Sequence, residues 1–215
     1  MTRTSTKTSK YLILMTLVVA AFAAAVQPLA AEVHRKTFKL HANPPFASCF
    51  GSEATANVVV VRGNLADTLT ITGEDFLPNL DFDLFTIQRT ELLSNGQPDP
   101  NFTNFGMAWY QTDLHSNSEG KINATIHTIL LDQIFGFDPD TALAPTNAFH
   151  VGFWFNNPQD AVPCGFDPNK PTPFNGQHVA GPNAMITVPN AKTNLGPLCT
   201  DPVKQGQGFV CKLEQ

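Results

Sequence analysis

Two kinds of side chain in this sequence are placed so that they could do chemistry: aromatic rings beside amides, and carboxylates in pairs. Trp109, Tyr110 and Gln111 are consecutive, and Trp154 is followed by Asn156, Asn157 and Gln159. Rings that stack on the apolar faces of sugars, flanked by amides that bond hydroxyls, are the elements of a carbohydrate-binding surface. Trp154 lies opposite in phase to Phe149 and Phe153, so a second, plainer reading has a long loop covering it as a small second core. Gln133 to Thr146 and Cys164 to Gly181 are the candidate covers. Asp81 and Asp83 sit at i, i+2, and in a strand that spacing puts two carboxylates about 7 Å apart on one face. Such a pair suits glycoside hydrolysis or a calcium ion, and a solvated outer face explains it equally well. Asp138 and Asp140 share a loop but offer fewer oxygens than a calcium loop normally supplies. His127 and His150 fall on the polar sides of their strands and would converge on a metal only if those strands were neighbours. No Gly-x-Ser-x-Gly elbow, His-Glu-x-x-His or phosphate-cradling loop occurs, and no cofactor is expected.

The elements that must hold these residues are strands. Phe149, Val151, Phe153 and Phe155 alternate with His150, Gly152, Trp154 and Asn156, which is period two with one face in a core. Four consecutive valines within Asn57 to Arg62 read as a strand buried on both sides. Leu69 and Ile71 alternate inward, and after a turn over 73–79 so do Leu80, Phe82 and Leu84; the two strands read as a hairpin-like pair. Phe105 to Asp113, Lys121 to Leu131 and Ala184 to Val188 add further strands. His34 to Phe50, with Pro44-Pro45 and Cys49, reads as an irregular lead-in. About seven strands separated by Pro- and Asn-rich turns predict an all-β, antiparallel two-sheet sandwich of immunoglobulin-like type over residues 32–190.

The run L-T-I-T-G-E-D-F-L-P-N-L-D-F-D-L-F, residues 69–85, resembles the strand–turn–strand signature of IPT/TIG immunoglobulin-like β-sandwich domains. Gly73, Phe76 and Pro78 are the matching positions. Asn79 stands where the family usually has a second Gly, and Asn also reaches left-handed backbone angles. The resemblance implies a β-sandwich that acts as a binding or spacer module.

Arg3, Lys7 and Lys10 precede an apolar run from Tyr11 to Val26, and Pro28 to Ala31 follow it. This is the three-part layout of a secretory signal peptide, expected to be cleaved after Ala31 or after Ala25. The run is shorter than the roughly 20 residues of a permanent span. Charge is sparse and the net charge is −5, which gives no basic face for nucleic acid. Four cysteines in an exported chain read as two disulfides. Of the three possible pairings we expect Cys199 with Cys211, closing a small loop in a tail over 191–215, and Cys49 with Cys164. No Cys-x-x-Cys cluster favours zinc. N-F-T at Asn101 and N-A-T at Asn123 match glycosylation acceptors by chance. The sequence therefore predicts an exported, non-catalytic binding or structural module, secreted or otherwise extracytoplasmic, whose ligand it does not identify; a glycan and another extracytoplasmic protein are the candidate partners. The alternatives are a carbohydrate-binding module using Trp109 and Trp154, and a hydrolase using Asp81 and Asp83.

Overall fold

A computed structural model describes residues 35–130, 150–169 and 181–212. The proposed signal peptide, Asp138, Asp140, the 133–146 segment and most of the 164–181 segment lie outside them. Among these residues the strands are β1 (Arg35–Ala42), β2 (Thr55–Val61), β3 (Asp67–Glu74), β4 (Asp81–Ile87), β5 (Ala108–His115), β6 (Ile122–Thr128), β7 (His150–Phe155), β8 (Asn183–Ile186), β9 (Pro202–Gln205) and β10 (Gly208–Cys211). Short 3-10 helices, Pro44–Cys49 and Pro158–Cys164, follow β1 and β7.

All strand pairings are antiparallel, as the alternation requires. The architecture is not two separate sheets. β1 to β8 form one sheet in the order β5-β4-β7-β8-β1-β2-β3-β6, curled into a nearly closed barrel. β1 makes this possible by changing partner along its length: Arg35 to Leu40 pair with β2, whereas His41 and Ala42 pair with β8. The ends of the order, β5 and β6, are joined by the 116–121 turn and lie close together, with no ladder between them among the described residues.

Further sequence expectations are corrected at the level of single strands. The lead-in is a strand over Arg35–Ala42, in which Phe38 and Leu40 alternate with charged residues; it becomes irregular only at Asn43. β3 and β4 are not a hairpin, since β3 pairs with β2 and β6 while β4 pairs with β5 and β7. The 73–80 turn instead carries the chain across the barrel. Its amides bond other segments, Phe76 N–H to Gly120 O at 3.0 Å and Leu77 N–H to Phe50 O at 2.9 Å. The turn inserts Phe76 into the core, and a Cβ on Gly73 would stand 2.8 Å from that ring. Asn79 adopts φ 63°, the left-handed conformation its side chain tolerates.

Inside the barrel, Phe50, Phe76, Phe82, Phe153 and Phe155 form an aromatic cluster with ring centroids 5.0 to 6.1 Å apart, within the range of favourable tilted and edge contacts. Val58, Val60, Leu69, Ile71 and Ile122 line the opposite wall. The valine run is buried on this face only, because Val59 and Val61 are half-covered. Cysteine pairing is as expected. Cys49–Cys164 ties the two 3-10 helices together, and Cys199–Cys211 closes the β9–β10 hairpin. Leu198 is buried in the core, and Lys36 and Arg62 donate to the carbonyls of Cys199 and Leu198, so the tail is seated on the barrel.

Candidate functional site

β4, β5 and β7 lie side by side, and their outward side chains make the outer face of this wall. β5 has an irregularity where Leu84 faces Thr112 and Phe85 faces Tyr110. Gln111 is thus an extra residue on β5, a bulge of the kind that re-aims neighbouring side chains. Trp109 and Tyr110 come out 48% and 49% exposed. They do not form one platform, since Tyr110 pairs with outward-facing Phe85 and Trp109 with inward-facing Thr86. Gln111 turns inward and donates from Nε2 to Thr86 Oγ1 at 2.9 Å.

Around Tyr110 the outer face is polar and acidic. Asp83 and Asp113 are cross-strand partners, and the Tyr110 hydroxyl donates to Asp113 Oδ1 at 2.7 Å. Asn156 donates to Asp83 Oδ1 at 2.9 Å, and His115 Nδ1 lies 2.7 Å from Asp81 Oδ1. Burial raises the Asp83 carboxyl, the Asn156 bond opposes this, and the charge of Asp113 adds to the rise. Desolvation and the Asp113 carboxylate push Tyr110 up to about 12. The patch therefore holds neutral donors and anionic acceptors next to one ring, a set that bonds hydroxyl groups. Asn157 is occupied otherwise: it caps the second 3-10 helix by accepting from Gln159 N–H at 3.0 Å.

Trp154 is fully buried. Its ring meets Phe85 edge-on at 5.5 Å and Phe105 at 5.1 Å, with Leu92, Ile87 and Ile186 completing a second apolar cluster on the outside of the barrel. The two covers anticipated from sequence lie wholly or largely outside the described residues; among the described residues the cover comes from the segment 88–107. It leaves β4 through Gln88 and returns to β5 through Phe105 and Met107, with Arg89 N–H bonded to Phe105 O at 3.0 Å. In this arrangement Trp154 presents no face on which a sugar could stack. His127 and His150 do not converge, because β6 and β7 are not neighbours. His127 bonds Thr68 on an exposed face, while His150 is buried against Thr187 Oγ1 at 2.9 Å. Desolvation lowers His150 to about 4. Among the described residues no group of three or more His, Cys, Asp or Glu side chains is placed to hold a metal ion.

The covering segment also creates a cleft of about 300 Å³, lined by Arg89, Thr90, Leu92, Ser94, His150 and Leu195 among others. Sequence reading passed over it, since its walls come from chain positions more than a hundred residues apart. Beneath the same segment Glu91 is desolvated beside Asn183, which is 3% exposed. Burial pushes Glu91 up to about 7, and the nearby Asn183 amide offsets part of this. Comparisons with protein-family models, with curated proteins and with solved structures find no match to this chain.

Proposed function

We propose that this chain is an exported, non-catalytic binding module, secreted or held outside the cytoplasm, that recognises a glycan through the outer face of β4, β5 and β7. The export reading rests on the leader-like N-terminus and on two disulfides, which an oxidising compartment sustains. The observation that carries the ligand is the bulge at Gln111, which leaves the Tyr110 ring half-exposed beside Asp83, Asp113 and Asn156. A sugar ring stacks on Tyr110 while its hydroxyls donate to the two carboxylates and accept from the Asn156 amide. In its overall role the barrel acts as immunoglobulin-like sandwiches often do, as a rigid support for a recognition face.

A glycan array probed with the intact protein tests this. Binding that is lost in Tyr110→Ala and kept in Asn157→Ala supports the reading, and an array with no signal rejects it. Hydrolysis is the second reading, favoured by the raised Asp83 carboxyl next to Asp113. Release of reducing ends from a bound glycan, abolished in Asp83→Asn, would replace the non-catalytic assignment.

A further inference from the structure

The 88–107 segment does more than cover Trp154. The cleft it forms with the turn over 189–195 is lined mainly by polar groups, with Leu92, Leu93, Pro189 and Leu195 supplying its apolar part. Arg89 is half-buried in its lining, and its guanidinium has no ion-pair or hydrogen-bond partner among the described residues. A guanidinium left without a protein partner at the wall of a cleft is well matched by a planar anion that accepts two parallel hydrogen bonds. His150 is 4% exposed and also lines the cleft; Thr187 occupies its Nδ1, and no hydrogen bond reaches Nε2 among the described residues. Asp99 lies on the same lining, with Oδ1 accepting from Asn101 N–H at 2.9 Å.

These groups define an occupant. One cation and one carboxylate in the same small cleft disfavour a dianion, which Asp99 would repel. They favour a single negative group for Arg89 together with a hydroxyl or ammonium for Asp99. The leucine and proline side chains take an apolar body, and the volume is at the lower end of small-molecule sites. We propose that this cleft binds a small organic monocarboxylate bearing a hydroxyl or amino group and an apolar side, with Arg89 holding the carboxylate, and that it does so independently of the β4-β5-β7 face.

Mandelate, benzoate and inorganic phosphate are suitable probes, followed by amide chemical-shift perturbation of the isotope-labelled full chain. Mandelate is expected to move the amides of Arg89, Thr90 and His150 saturably. Benzoate, lacking the hydroxyl, should bind more weakly, and phosphate should not compete. Arg89→Gln should weaken mandelate at least about tenfold, as loss of a charge-assisted bidentate pair requires. Arg89→Lys should recover part of the loss, and Tyr110→Ala should leave binding unchanged. Circular dichroism of each variant confirms that it is folded. The proposal is overturned by unsaturable shifts up to about 10 mM mandelate, a concentration at which binding energy is below about 3 kcal/mol. Equal affinity in Arg89→Gln, or phosphate binding as tightly as mandelate, overturns it as well.

Discussion

His150 and Glu91 are buried ionisable groups with opposite demands on pH. His150 falls from the ordinary 6.5 to about 4 because burial penalises the imidazolium, so its stabilising contribution is complete above about pH 6.5 and lost as pH drops through 4. Glu91 rises from 4.5 to about 7 for the mirror reason, so its contribution is complete below about pH 4.5 and lost as pH climbs through 7. Between these limits the two slopes oppose, and the wild-type stability curve should be nearly flat from about pH 4.5 to 6.5. Glu91→Gln removes the alkaline loss. Urea titrations should find it more stable than wild type at pH 8 by on the order of 3 kcal/mol, from a 1.36 kcal/mol cost per pH interval, and little changed at pH 4. An equal difference at both pH values would refute the burial account. Trp154→Ala should cost about 3 to 5 kcal/mol by the same titration, as expected for emptying a large core site, whereas Trp109→Ala should stay within about 0.5 kcal/mol. Residue-scale expectations from sequence were sound where alternation spoke. It placed Val151, Phe153 and Phe155 inward and Trp154 outward, and could not say what lies over the outer face. Leu92 and Phe105 reach Trp154 from a stretch with no periodicity of its own, and Arg89 and Glu91 belong to that same stretch.

At the level of elements, the bulge is the feature with the sharpest consequence. A one-residue deletion in a regular strand turns over every side chain on one side of it. Because Gln111 is the supernumerary residue, its deletion should leave Trp109 opposite Thr86 and Tyr110 opposite Phe85. In a Trp154→Phe background Trp109 is the sole tryptophan, and its emission maximum should not move when Gln111 is deleted. The cost should match that of Gln111→Ala, about 1 to 3 kcal/mol for stranding the buried Thr86 hydroxyl; a blue shift would show that β5 had changed face. The disulfides differ in reach. Cys49–Cys164 spans 115 positions, so its replacement by paired alanines should cost about 5 kcal/mol in the chain-entropy estimate, against about 3 kcal/mol for the 12-position Cys199–Cys211 loop. Thermal melts of the two double variants rank them. Every barrel strand except β1 was legible, since alternating Phe, Leu and Ile are unmistakable. In β1 only Phe38 and Leu40 are large and apolar, and the prolines that follow draw attention away. The turn between β3 and β4 was recognised by its residues, but turn chemistry reports a change of direction and not whether the next strand pairs alongside or crosses to the far wall.

Closure of the sheet belongs to the molecule as a whole, and it was the least legible feature. Period-two patterning is identical for a sandwich and a flattened barrel; what separates them is β1 bonding β2 with one part and β8 with the other. That sharing joins residue 42 to residue 185 through a direct ladder. Such distant pairing slows the search for the native state, and refolding of the oxidised chain is expected in milliseconds to seconds; microsecond folding by stopped-flow fluorescence would contradict this topology. A further consequence concerns the order in which the polypeptide is made. As the nascent chain emerges, β1 has a local mate in β2 but waits until β8 has been made to seal the other flank. Until then any conduit through which the chain is threaded meets an unlatched ribbon and not a finished barrel that must be prised apart.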